Sequence, residues 1–240
     1  MHSPFVFGFI EYVLNNKSQY AVPQQVEELR RRLLGDKELL RIEDLGAGSR
    51  SGVSKQRTVQ QLAGTAVKPR KFGQLFFRLV KHYRPSLILE LGTSLGITAS
   101  YMALANPEGQ VITIEGSEAI YKKAQDSFKA LGIENIRSLK GNFDSVLPEV
   151  LRGVEQVDLA YIDGNHRYQP TVNYFRQIVP KMHNQSVLVF DDIHWSKEME
   201  AAWEEIKGHP DVLCTVDLFF LGFVFFRQEF KEKQHFTIRY

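Results

Sequence analysis

Apolar positions along this chain change their spacing repeatedly, and each change marks an element. In KFGQLFFRLVKHY (71–83), Phe72, Leu75, Phe76, Leu79, Val80 and Tyr83 fall on one helical stripe, which Pro85 ends. SLILEL (86–91) is a short continuous apolar run, the pattern of a strand covered on both faces. SLGITASYMALAN then predicts a helix stopped near Pro107, and QVITIE (110–115) a second strand. In SEAIYKKAQDSFKALG, Ser117 is placed to cap a helix; Ile120, Ala124, Phe128 and Leu131 share its face, and Gly132 closes it. The alternation continues. NIRSLKGN predicts a strand, DSVLPEVLRG a short helix, QVDLAYID (156–163) a strand, and YQPTVNYFRQIVPKM a helix after Pro170. SVLVFDD (186–192) follows as a strand and SKEMEAAWEEIKG as a helix. VLCTVDLF and LGFVFFRQ are strand-like runs with almost nothing between them, so only an antiparallel hairpin can join them.

Residues 71–240 are therefore expected to form an α/β domain. Its Rossmann-like, seven-stranded sheet has five parallel strands with right-handed crossovers and ends in a C-terminal antiparallel hairpin. Residues 1–70 lack this rhythm. SPFVFGFIEYVL and PQQVEELRRRLLG read as two helices, GDKELLRI as a helix end, and Glu43 to about Val67 as a polar loop able to order over a pocket. Residues 1–70 are thus an expected N-terminal helical extension with a lid loop.

Composition adds limits. The 240 residues are 43% hydrophobic and 24% charged, ordinary values for a globular chain. A single cysteine, Cys214, permits no disulfide within the chain and points to a reducing compartment. MHSPFVFGFIEYVLNN has no basic leader, and Glu11 interrupts its apolar stretch, so it does not read as a signal peptide. The longest apolar run, LFFLGFVFF (218–226), is too short to cross a bilayer. A soluble, cytoplasmic protein without a membrane partner is expected, its apolar N-terminus a candidate homodimer surface. Up to Arg84 the chain carries 15 Lys and Arg against 7 Asp and Glu; beyond it, 15 against 21. The basic part includes RRR (30–32) and KPRK (68–71). A nucleic-acid partner is the functional reading. Solvated helix faces are favoured over it, because the basic residues are scattered without interleaved aromatics.

Two stretches place an acidic residue two positions before a glycine: EDLGAGSRSG (43–52) and LELGTSLGIT (89–98). A loop holds a nucleotide when it leaves a buried strand and opens a helix. The second stretch meets that condition. The first follows a charged segment and precedes VSKQRTVQQ, which has no amphipathic helix pattern. Glu90-x-Gly92-x-x-x-Gly96 departs from the GxGxxG of dinucleotide sites, and Glu115 ends the next strand, where a carboxylate can accept hydrogen bonds from ribose hydroxyls.

Taken with LELGTSLGIT, the motifs VITIEGSE, VDLAYIDGNHRY and VLVFDDIHW resemble, in order and strand position, those of class I S-adenosylmethionine-dependent methyltransferases. The branch is similar to catechol O-methyltransferase and related small-molecule O-methyltransferases, and the resemblance covers about Lys71 to Arg227. It implies S-adenosylmethionine as cofactor. Glu90, Gly92, Thr93, Ser94 and Gly96 would surround its methionine part, Glu115 its ribose, and Asn142 and Phe143 its adenine, with Asp163 also at the cofactor. It further implies a hydroxyl on a small-molecule acceptor.

In metal-dependent members the ends of the fourth and fifth strands supply carboxylates, here Asp163, Asp191 and Asp192. Such oxygen ligands suit Mg²⁺, which would hold the acceptor hydroxyl and lower its pKa. Helix capping is the other account of these aspartates. His166, beside the catalytic candidates Asp163 and Asp191, is a candidate for touching the cofactor or acting as general base, or else a solvent-facing loop residue. His194 and Trp195 read as a substrate wall, or Trp195 as packing; Tyr168 reads as packing. Arg50, Arg57 and Lys71 are candidates for orienting an anionic acceptor from the lid, with plain surface charge as the favoured account. An RNA or protein methyltransferase, a catalytically silent binding module and an NAD-dependent oxidoreductase are the competing functions.

Overall fold

The computed structural model describes residues 3–240 apart from Lys17, Gln19, Ala21 and residues 43–54. The order of elements is α1 (Pro4–Phe9, continued by a wide turn at Ile10–Leu14), α2 (Val22–Gly35), β1 (Leu39–Ile42), β2 (Lys55–Thr58), α3 (Val59–Thr65) and α4 (Arg70–Tyr83). Then come β3 (Leu87–Leu91), α5 (Ile97–Ala105), β4 (Gln110–Glu115), α6 (Glu118–Ala130), β5 (Ile136–Lys140), α7 (Phe143–Arg152) and β6 (Leu159–Ile162). The chain continues through α8 (Tyr168–Ile178), β7 (Val187–Asp191), α9 (Lys197–Gly208), β8 (Cys214–Asp217), β9 (Leu221–Phe225) and β10 (Gln234–Thr237).

The main sheet runs β10-β8-β9-β7-β6-β3-β4-β5. Strands β3 to β7 are mutually parallel, and β9 pairs antiparallel with both β7 and β8. The expected seven strands are present, and β10 adds an eighth, parallel to β8. This edge strand carries only polar and half-buried positions, so no apolar run announces it. Strand β3 starts the sheet's centre: the chain winds outward through β4 and β5, then returns to β6 on the other side. A crevice opens at such a reversal, outside the carboxyl ends of β3 and β6.

Alternation along the strands divides the core. Ile88, Val111, Tyr161, Val189, Phe223 and Phe225 face α4, α5 and the N-terminal helices. Leu89, Ile112, Ala160, Leu188 and Val224 face α7, α8 and α9, where Tyr174, Phe175 and Trp203 are buried. Phe5 and Phe9 pack edge-on against Phe225 and Phe223, with centroids 4.9 and 5.2 Å apart, so the first helix seals the sheet beside the hairpin. Cys214 is buried there, and burial pushes its thiol up to about 12.

Two expectations for residues 1–70 need correction. In GDKELLRI only Gly35 ends a helix, α2; Leu39–Ile42 is a strand paired antiparallel with Lys55–Thr58. Leu40 is buried between exposed Leu39 and Arg41, an alternation that outweighs the charges around it. The stretch taken as polar loop up to Val67 holds α3, started by a capping box in which Thr58 and Gln61 exchange side-chain and backbone hydrogen bonds. The glycine cluster of EDLGAGSRSG and Arg50 lie outside the described residues.

Candidate active site

Strands β3, β4, β5, β6 and β7 all finish at one rim, and a cleft of about 440 Å³ opens there. Gly92 begins the loop after β3 with φ +102°, a conformation that disfavours any side chain. A Cβ on Gly92 would lie 1.9 Å from the Asp163 carbonyl oxygen. That contact arises because β6 leaves the sheet directly beside β3, its Asp163 N–H donating to the Leu91 carbonyl at 2.8 Å. Gly96, at φ +80°, serves differently: a Cβ there would strike the Phe128 ring at 2.6 Å, so this glycine lets α5 pack on α6.

Glu115 ends β4 in the cleft wall. Its Oε2 accepts the Ser94 N–H at 2.9 Å and its Oε1 the Ser117 N–H at 3.0 Å. Burial raises its carboxyl above the usual range, and these backbone donors pull it back. Ser117, predicted as a helix cap, makes no side-chain cap bond; its buried Oγ has no partner among the described residues and lines the cleft. Glu90 lies behind this wall. It is fully buried, accepts a 2.5 Å hydrogen bond from Thr113, and burial lifts its pKa to about 8, so it stands neutral at pH 7. Thr93 Oγ1 meets Thr113 Oγ1 at 2.5 Å, so Glu90 and Thr93 brace the loop from the interior.

At the far end Asn142 caps α7, accepting the Asp144 N–H at 2.8 Å, and Phe143 meets Tyr174 edge-on with centroids 5.8 Å apart. All three of Asn142, Phe143 and Tyr174 line the cleft. The Tyr174 hydroxyl donates to Asp144 and accepts from Asn165, a small network for which the sequence carried no motif.

The acidic wall is more crowded. Asp163 accepts a hydrogen bond from the Tyr161 hydroxyl at 2.9 Å and lies 3.6 Å from His166 Nε2. Ligand atoms of Asp163, His166 and Asp191 fall within 4.8 Å of one another. Asp192 is absent from that group. Its φ of +53° carries it off the strand line, and its N–H donates to the Phe220 carbonyl. Lys68, in the turn between α3 and α4, reaches across: its Nζ is 2.5 Å from Asp191 Oδ2 and 3.3 Å from Asp192 Oδ1. Burial and the neighbouring Asp163 push Asp191 well above the usual carboxylate range, while Lys68 pulls it down. For Lys68, burial acts downward, but Asp191, Asp163 and Asp192 outweigh it and hold the ammonium above the ordinary lysine value.

Of the predicted residues, Gly92, Ser94, Glu115, Asn142, Phe143, Asp163, His166, Asp191 and Asp192 line this one cleft; Glu90, Thr93 and Gly96 support it from behind. Arg57 is exposed, and Lys71 lies over the Tyr240 ring at 3.9 Å. Lys68, counted only as one charge in KPRK, is the basic residue that enters. Arg30 turns inward to Glu27, so this arginine of RRR is not offered to a partner at the surface. Trp195 is 74% exposed, which rules out packing under the following helix; that place belongs to Trp203. His194 bonds Asp217 at 2.7 Å and stacks on Phe219. Tyr168 reaches Glu205. No helix among the described residues is long and apolar enough to cross a membrane.

Residues 89–193 match a family described as a methyltransferase domain. Among curated proteins, the chain is 29% identical over 149 residues to catechol O-methyltransferase of Mus musculus, covering 60% of this chain and 52% of that one. It is 42% identical over 60 residues to protein-L-isoaspartate O-methyltransferase of Ignicoccus hospitalis, covering 25% and 28%. The chain thus spans less than two thirds of either relative. Among solved structures, a SAH-bound methyltransferase of Podospora anserina superposes with a TM-score of 0.65 over 93% of this chain and 94% of that one. Their sequence identity is 12%, so that likeness is one of fold.

Proposed function

We propose that this chain, whose residues 89–193 match a methyltransferase domain family, transfers a methyl group from S-adenosylmethionine to a hydroxyl of a small molecule. The observation that carries the reading is Glu115. A carboxylate whose two oxygens are aimed by the N–H groups of Ser94 and Ser117 stands in a crevice at the sheet's reversal point. Each oxygen keeps acceptor capacity for a vicinal pair of ribose hydroxyls. The orphaned Ser117 Oγ gives the same wall an unused donor and acceptor. Asn142, Phe143 and Tyr174 offer an aromatic, polar-edged slot for an adenine ring. The cofactor, when bound, supplies a methyl group on a sulfonium. The chain's part is to seat it, to hold the acceptor oxygen in line with it, and to take the acceptor's proton. His166 is the group for that last task, a half-buried imidazole facing the cleft beside Asp163.

One distance favours a second reading of the acidic wall. Asp163, His166 and Asp191 converge within 4.8 Å; the two carboxylates suit Mg²⁺, whereas the imidazole suits a transition ion better. With the Lys68 ammonium against Asp191, however, the set as it stands does not fit a divalent ion.

Calorimetry tests the proposal: S-adenosylmethionine and S-adenosylhomocysteine should bind with one-to-one stoichiometry and NAD should not. Absence of binding by either adenosyl compound would leave a silent module. An RNA acceptor predicts filter binding that weakens steeply with salt, and a salt-independent result counts against it.

A further inference from the structure

Three aspartates at the ends of two adjacent strands require a counter-charge, and the chain brings its own. Lys68 sits between Val67 and Pro69, and the residue before a proline is confined to extended backbone. Both flanks of the turn are pinned. The Ala66 N–H returns to the Leu62 carbonyl at 2.8 Å, and the Pro69 carbonyl accepts from Phe72 and Gly73 at the start of α4. From there the lysine crosses the cleft floor to Asp191, whose other oxygen is buried without a partner among the described residues, and to Asp192, held in a left-handed turn. Its side chain is only 17% exposed. A divalent ion bonded to Asp191 Oδ2 at about 2.1 Å would stand within about 5 Å of the ammonium, with both positive charges in a partly dry site. A divalent ion on the remaining oxygen of Asp191 would have to share that carboxylate with the ammonium, against the repulsion of a like charge in contact with the same group.

We propose that Lys68 is the resident cation of the acceptor wall: it takes the place of a divalent metal, neutralises Asp191 and Asp192, and presents its remaining N–H to the acceptor oxygen. This rests on the methyltransferase reading for the identity of the acceptor wall. It also gives a purpose to the lid-like approach of α3, which delivers a charge as well as covering the cleft.

The test uses Mn²⁺ as the probe, followed by electron paramagnetic resonance and calorimetry on the full chain. Wild-type protein should show no saturable site at low millimolar Mn²⁺. Lys68→Met should open the cluster and bind Mn²⁺ at least roughly tenfold tighter, because a like charge has left the carboxylates. Adding Asp191→Asn to that variant should abolish the gain. A saturable wild-type site that Asp191→Asn alone removes would overturn the proposal, whether or not the Lys68 variant folds; so would a folded Lys68→Met protein that binds no more Mn²⁺ than wild type. With a hydroxylated acceptor that the wild type methylates, EDTA should leave turnover unchanged. Lys68→Met should then lower kcat roughly a hundredfold with KM for S-adenosylmethionine unaltered, and Lys68→Arg should restore part of it. Loss of turnover in EDTA would again overturn the assignment. S-adenosylhomocysteine binding, measured on the same samples, separates this outcome from failure of the methyltransferase reading itself.

Discussion

The two walls of the cleft are built on different plans. The Gly92–Glu115 wall comes from one continuous strand-loop-helix-strand unit, and backbone does most of the work: two N–H groups aim Glu115, and Gly92 is bare so that β6 can pass. The opposite wall is an assembly of side chains from distant segments, in which Lys68 meets carboxylates more than a hundred positions along the chain. Backbone-built walls tolerate little change in shape. Side-chain walls tolerate reshaping but respond strongly to charge. Substitutions on the first wall should therefore act through sterics and binding, whereas those on the second act through turnover and ion affinity.

The largest effect expected on the backbone wall is from Gly92→Ala. A methyl group 1.9 Å from the Asp163 carbonyl oxygen, on a residue at φ +102°, forces β3 and β6 apart. A stability loss of about 3 kcal/mol or more should accompany complete loss of S-adenosylhomocysteine binding. Thermal melts and calorimetry read both. A variant that melts with wild type and binds normally would mean that the two strand ends do not approach as described.

Glu90 should make the same wall pH-sensitive. Its folded pKa is about 8, against 4.5 for the free group. Between those values the folded state holds a proton that the unfolded state has lost, so stability is fully present below pH 4.5 and falls as pH rises towards 8. Glu90→Gln removes this contribution and should flatten the decline in denaturation midpoint across that window. An unchanged slope would show that Glu90 is ionised in the folded protein.

The difference in construction also explains what could be read in advance. The backbone wall was legible because its parts are neighbours in sequence: LILEL reads as a covered strand, and Glu115 follows at the end of the next one. The parallel order of the sheet was legible for the same reason, from β-α alternation. Lys68 was hidden because a lysine in KPRK is indistinguishable from a solvated charge until the turn after α3 points it inward. The β1–β2 pair is hard to read because Leu39 and Leu40 sit between Glu38 and Arg41 in a charged segment, though the TVQQ capping box at Thr58 is a usable signal for α3. Thr93 and Gly96 were assigned to the ligand by motif, yet motif alone does not separate lining from bracing. Gly96 packs Phe128 and Thr93 bonds Thr113.

Glu115→Ala sharpens the contrast further. The charge-assisted acceptor for the ribose is lost, and the Ser94 and Ser117 N–H groups lose their partner. Affinity for S-adenosylhomocysteine should fall roughly 10- to 100-fold, with a smaller loss of stability. Unchanged affinity would break the assignment of this carboxylate to the ribose while leaving the fold intact.

The smallest effect, and the most discriminating in sign, is expected at Ser117. Its Oγ is buried at the cleft wall without a partner among the described residues, so folding costs the desolvation of a hydroxyl. Ser117→Ala removes that cost and sacrifices no cap hydrogen bond, because none is made. The empty variant should be as stable as wild type or slightly more so, by up to about 1 kcal/mol. If the hydroxyl is reserved for the ligand, S-adenosylhomocysteine affinity should drop roughly three- to tenfold in the same variant, corresponding to one neutral hydrogen bond. A fall in stability with unchanged affinity would instead make Ser117 an ordinary structural residue and return the ligand's recognition to the backbone alone.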